Sequence, residues 1–135
     1  MGFLFGRKKP VPAPAPVSTP TPAPISHEQS ETKAYLLSVI TRNFPSCSVA
    51  TDFSAHLLYE AAQGIKCFPI SILVMKNGKP MLAVLIVYKN SYDRKDVQNT
   101  MLACKEAGVA VQRYFYEFEN AESYVVKRMA EVLRA

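Results

Sequence analysis

Glycine is scarce in this chain, with five in 135 residues and none of them clustered. A loop that cradles phosphate through its backbone needs glycines close together, so a P-loop-type site is excluded. Cysteine is sparse and odd in number: Cys47, Cys67 and Cys104, separated by 20 and 37 residues. There is no C-x-x-C pair, and His27 and His56 stand at no ligand spacing from the thiols, which excludes a structural zinc site of the usual kind. Each cysteine has apolar neighbours, which predicts buried, reduced thiols and a reducing, cytoplasmic compartment. No apolar run approaches the roughly 20 residues that span a bilayer. No Ser, His and Asp set stands at a spacing that suggests a nucleophilic triad.

Strong charge is lacking as well. The chain carries 16 basic and 11 acidic residues, net +5. Leaving out Arg7, Lys8 and Lys9 lowers the net charge to +2. That is mild for a nucleic-acid surface, which concentrates basic residues on one face.

Proline, in contrast, is abundant and localised. Residues 10–25 read PVPAPAPVSTPTPAPI, with seven prolines in sixteen positions. Such a stretch has few backbone donors and little to bury, so residues 1–25 are expected to be disordered, with an extended polyproline II spacer reaching on the order of 50 Å. A docking motif for a proline-reading partner is the other use of this composition. Ahead of the spacer, Phe3, Leu4 and Phe5 precede the basic cluster Arg7, Lys8 and Lys9. The order is wrong for a secretory signal, and Gly6 occupies the position where a myristoylation motif has Ser or Thr. What remains is a candidate interfacial anchor, apolar residues in the lipid and basic residues on anionic headgroups, or else a tip that touches nothing.

Residues 26–135 read as one small α/β domain. Ser26 and Gln29 stand at capping-box spacing, and Leu36, Leu37, Ile40 and Phe44 recur at helical spacing until Pro45 stops the helix. Ser48–Asp52 predicts a short strand, and 54–63 is either a short helix closed by Gly64 or an extension of that strand. Phe68–Met75 and Pro80–Tyr88 are strands joined by Asn77-Gly78, a strong hairpin turn because both residues tolerate positive φ. The second strand is apolar at nearly every position, which implies cover on both faces. A helix over 93–107, with Asn90 or Ser91 as its cap and Gly108 at its end, precedes a strand over 109–116. Asn120 is the expected cap of a last helix with Val125, Met129, Val132 and Leu133 on its apolar stripe.

A helix, a three-strand meander, a helix and a further strand resemble the core of the PD-(D/E)XK, or restriction-endonuclease-like, superfamily. The likeness is carried by PISILVMKNGKPMLAVLIVYKN and by the helix ending ACKEAGVAVQRYF. It implies a small mixed sheet of about four strands flanked by helices. In that superfamily one strand carries an Asp and the next carries Glu/Asp-x-Lys, and the carboxylates hold a divalent metal that activates water. Here the Asp position falls at Ser71 and the Glu-x-Lys positions at Leu85 and Val87, none of which binds a hard cation. The resemblance therefore implies a degenerate relative without catalytic residues, metal or cofactor.

Other groups stand as candidates. Asp52, His56 and Glu60 are four residues apart, a metal-capable trio on one helix face or an ordinary solvated surface. Lys89, Arg94 and Lys95 are candidates for phosphate beside a helix N-terminus, although Asp93 and Asp96 interleave with them. Tyr114, Phe115, Tyr116 and Phe118 stack bases if they lie on an open face, or pack in the core if the sheet is covered. The leading expectation is a non-enzymatic interaction module with a protein partner, peripheral to a membrane if the tip anchors. The rivals are a metal-dependent nuclease or phosphoesterase with displaced ligands, and a nucleic-acid binder without catalysis.

Overall fold

A computed structural model describes residues 29–134. The candidate anchor, the proline-rich spacer and the Ser26 cap lie outside the described residues. The elements are α1 (Gln29–Asn43), β1 (Cys47–Phe53), β2 (Ile70–Lys76), β3 (Lys79–Val87), α2 (Lys95–Glu106), β4 (Ala110–Phe115) and α3 (Glu122–Leu133). The four strands form one sheet in the order β1-β2-β3-β4. The first three make an antiparallel meander, and β4 pairs parallel to β3 after the α2 crossover. It is a mixed sheet flanked by helices, the coarse architecture expected from the sequence.

The central turn follows from its two residues. Asn77 (φ 55°) and Gly78 (φ 76°) both adopt left-handed backbone, as a two-residue hairpin requires. The β2–β3 ladder shifts register between Val74 and Met75, where Met75 faces Pro80, so the missing proline donor falls at an irregularity of the ladder. Helix α2 ends as its sequence suggests. Gly108 takes φ 76°, its N–H donates to the Lys105 carbonyl at 3.1 Å, and Val109 N–H donates to the Cys104 carbonyl at 2.8 Å. These two bonds satisfy carbonyls that the last turn would leave without partners.

Two apolar layers sandwich the sheet. On one face α1 and α3 bring Leu36, Val39, Ile40, Val125 and Met129 onto Ile72, Val74, Leu82, Val84, Ile86 and Tyr114. On the other, α2 and the β1–β2 connection bring Ala55, Ala62, Val97, Ala103 and Cys104 onto Ile70, Leu73, Ala83, Leu85 and Val87. The near-continuous apolar run of β3 is explained by this double cover: Leu82 through Val87 are all fully buried.

Several local expectations need correction. The 54–63 segment is neither a regular helix nor more strand, but two single 3-10 turns, Ala55–Leu57 and Glu60–Ala62, with Ser54 capping the first. Neither Asn90 nor Ser91 caps α2. Its cap is Arg94, which makes no side-chain capping bond, and Val97 N–H instead donates to the Asp96 carboxylate at 2.9 Å. Asn120 does not cap α3 either, because its amide turns back to the carbonyls of Phe115 and Phe118 and braces the β4–α3 turn. Only Cys104 is buried. Cys47 and Cys67 are half-buried free thiols.

Candidate functional site

Ser71, Leu85 and Val87, the positions at which the superfamily resemblance led ligands to be expected, lie where β2 and β3 separate. Their ladder runs only as far as Ile72 opposite Val84. Beyond it, Ile86 N–H donates to Ser71 Oγ at 3.3 Å, and the Ile86 carbonyl accepts from Gln29 Nε2 at 2.7 Å. Ser71 thus spends its hydroxyl oxygen on strand β3, in place of the ladder bond that the splayed strands cannot make. Leu85 (0% exposed) and Val87 (1%) sit in the apolar layer beneath α2, with no opening to water. Each contributes roughly 1.5–3 kcal/mol by burial.

Asp52, His56 and Glu60 do not share a helix. Asp52 lies in β1 with left-handed backbone (φ 51°) and pairs with Lys33 at 2.9 Å. His56 is in the first 3-10 turn, where Nε2 donates to the Ile65 carbonyl at 2.7 Å and Nδ1 accepts from the Ser54 hydroxyl at 3.1 Å. Glu60 opens the second turn. Among the described residues no group of three His, Cys, Asp or Glu side chains is placed to hold a metal ion.

The basic candidates separate into two places. Arg94 and Lys95 border a shallow recess with Lys66 and Asp96. Arg94 is already committed there, with its guanidinium on the Asp96 carboxylate at 2.9 and 3.3 Å. The Arg94 hydrogen bond holds the Asp96 carboxyl below its ordinary range despite its burial. The α2 N-terminus thus already carries the chain's own anion, and Arg94 is paired with it.

Lys89 belongs to a different and larger feature, a cleft of about 530 Å³ along the outer edge of β4. Arg113 on β4 and Arg128 on α3 join it there, over a floor that includes Met101 and Val111. The ring walls are Tyr92, Phe115, Phe118 and Tyr124. Arg113 lies over the Tyr92 ring at 5.2 Å and donates to the Tyr92 carbonyl at 3.0 Å, with Asp93 at 3.7 Å as its acidic neighbour. Arg128 lies over Tyr114 at 4.6 Å and Tyr124 at 5.5 Å, and donates to the Arg113 carbonyl at 3.1 Å. That bond satisfies a carbonyl of the sheet's edge strand and ties it to α3. Gln112 Nε2 returns a bond to the Arg128 carbonyl at 2.8 Å.

The aromatic run therefore divides between core and cleft. Tyr114 is buried, its hydroxyl donating to Gln112 Oε1 at 2.7 Å, and desolvation pushes its pKa well up. Tyr116 packs against the α1–α3 layer and Tyr88. Phe115 and Phe118 meet in the cleft at 5.5 Å, and Phe118 is 48% exposed.

Arg113, Arg128, Tyr92 and Tyr124 were not among the sequence candidates. A signal for them exists: Arg113 and Phe115 alternate on one face of a strand, and Tyr124 and Arg128 are four apart on a helix. Only the register that sets α3 beside β4 joins the two pairs. No family model, curated protein or solved structure matches this chain.

Proposed function

We propose that the chain is a catalytically silent relative of the restriction-endonuclease-like superfamily and works as a non-enzymatic interaction module. The observation that carries this reading is the burial of Leu85 and Val87 at 0% and 1% exposure, in a layer closed by α2. Metal-assisted phosphodiester cleavage needs oxygen ligands converging on an open position. Two aliphatic side chains in a dry layer supply neither. The superfamily likeness draws support from the antiparallel meander followed by a helical crossover to a parallel strand. Contact with a partner falls to the surface, and the β4-edge cleft is the place where rings and cations gather.

The test is incubation of the 135-residue chain with DNA and RNA in Mg²⁺ or Mn²⁺. The expected result is no metal-dependent cleavage. Cleavage that co-purifies with the chain and disappears with EDTA overturns the reading.

Tethering through Phe3, Leu4, Phe5 and Arg7–Lys9 is part of the proposal and rests on the sequence alone. The full chain should sediment with anionic vesicles, less so as salt rises, and a chain lacking residues 1–9 should not. Equal sedimentation of both would remove the tether.

A further inference from the structure

We infer that the β4-edge cleft binds a nucleotide unit, with its ring on Phe118 and its phosphate at Arg113 and Lys89. The inference rests on the non-catalytic binding reading above and gives it a ligand class. Size comes first. A cleft of about 530 Å³ lies inside the roughly 300–1,000 Å³ range of small-ligand sites.

The chemistry of the walls then narrows the class. Arg113, Arg128 and Lys89 bring positive charge, and neither Lys89 nor Arg128 forms a salt bridge among the described residues. A guanidinium has five donors, and Arg113 spends one on the Tyr92 carbonyl, so several remain for phosphate oxygens. The rings are not equivalent. Tyr92 carries Arg113 over its ring, and Tyr124 carries Arg128. Among the described residues no cation lies over Phe118, which packs against Phe115 at a tilt of 59° and is 48% exposed. A flat ring laid on Phe118 buries that surface, and base–aromatic stacking rewards it whatever the base. A ligand with both a planar π-system and a phosphate uses both walls at once. An inorganic anion leaves Phe118 wet, and a bare nucleoside leaves the Lys89 ammonium and the remaining Arg113 donors without an anion.

Asp93, at 3.7 Å from Arg113, opposes this ligand by competing for the guanidinium. Glu117 sits nearby but is turned to the Lys89 backbone N–H at 3.0 and 3.2 Å. The geometry therefore assigns opposite signs to neighbouring substitutions. Arg113→Gln, Lys89→Gln and Phe118→Ala weaken binding, whereas Asp93→Asn strengthens it.

The experiment is a calorimetric titration of the full chain, in EDTA, with adenosine monophosphate, adenosine, inorganic phosphate, a short oligothymidylate and a phosphotyrosine peptide. Adenosine monophosphate or the oligothymidylate should bind, with adenosine and phosphate about tenfold or more weaker. Binding by the oligothymidylate alone identifies the unit as part of a strand, binding by adenosine monophosphate alone identifies a free nucleotide, and binding by both shows that the cleft accepts the unit in either setting. Phe118→Ala and Arg113→Gln should each lose about tenfold, with circular dichroism unchanged because Phe118 is half exposed and the Arg113 side chain is partly exposed at the sheet edge. The inference is overturned if no nucleotide or oligonucleotide binds, if both variants bind as the parent does, or if only the phosphotyrosine peptide binds. Failure in a chain that also shows no cleavage removes this inference and leaves the non-catalytic reading standing.

Discussion

Two neighbouring patches on the α2 face of the sheet differ sharply. The parallel register sets Leu85 beside Arg113 and Val87 beside Phe115. One strand spacing, about 4.8 Å, thus separates a dry aliphatic layer from a cationic and aromatic cleft. The difference comes from cover. Helix α2 lays Val97, Ala103 and Cys104 over β3, while the outer side of β4 is met by Arg128 and Tyr124 of α3 and by the segment carrying Tyr92. In this fold β3 is core, and chemistry-bearing side chains collect one strand further out.

Substitutions in the core should have the largest effect. Val87→Glu should destabilise the domain by at least about 3 kcal/mol, because it puts a carboxylate beside Phe115 in an apolar layer. Leu85→Glu should cost less than Val87→Glu, since its neighbour across the ladder is Arg113. Leu85→Ala should cost about 2–5 kcal/mol through the cavity it leaves. Chemical denaturation of the three variants beside the parent checks this order. A Val87→Glu chain as stable as the parent would mean that the layer is wet.

The cleft offers a smaller effect. Arg128→Met should lower stability by about 1–2 kcal/mol, since it removes the stack on Tyr114 and Tyr124 and the bond to the edge carbonyl of Arg113. Arg128→Lys should recover little of this, because an ammonium lacks the planar fork. Full recovery by lysine would assign Arg128 a charge role alone.

Smaller again is the pH dependence of the α1–α3 side. The Arg42 and Asn43 hydrogen bonds hold the Glu122 carboxyl below its ordinary value of 4.5. A depressed folded-state pKa contributes stability that is present above that ordinary value and is lost as pH falls through the folded one. Glu122→Gln should therefore cost at most about 1 kcal/mol at neutral pH and flatten the loss of stability below pH 4.5. An unchanged acid profile in the variant would show that the pair contributes nothing. The smallest expected effect is kinetic. Burial pushes the Cys104 thiol up to about 11, so Cys47 and Cys67 should react first with a thiol reagent in the native chain.

Much of the fold was legible because its signals are local. The Asn77-Gly78 turn, the Gly108 stop and the unbroken apolar run of β3 each depend on a few adjacent residues. The misplaced caps have a shared cause. Asn90, Ser91 and Asn120 have capping chemistry, yet Asn120 is drawn to carbonyls across the β4–α3 turn, and Asp96 already serves the α2 N-terminus. Propensity cannot anticipate such competition between partners. That positions 85 and 87 are aliphatic and apolar was readable from Leu85 and Val87 themselves. The cleft was not, since Lys89, Arg113, Phe118 and Arg128 meet only after β4 and α3 take their places. Spacing grouped Lys89 with Arg94 and Lys95, which line a separate recess.

Contact with a ligand is assigned to the β4 edge, whereas Leu85 and Val87 are closed core beside a half-buried Ser71. Amide chemical-shift mapping of the 135-residue chain tests this most directly, with adenosine monophosphate added first and Mn²⁺ second. The expected map has nucleotide-induced shifts centred on Tyr92, Arg113, Phe118 and Tyr124, with no Mn²⁺ broadening centred on residues 71, 85 and 87. Broadening that radiates from Ser71, Leu85 and Val87, together with an undisturbed β4 edge, would contradict the account.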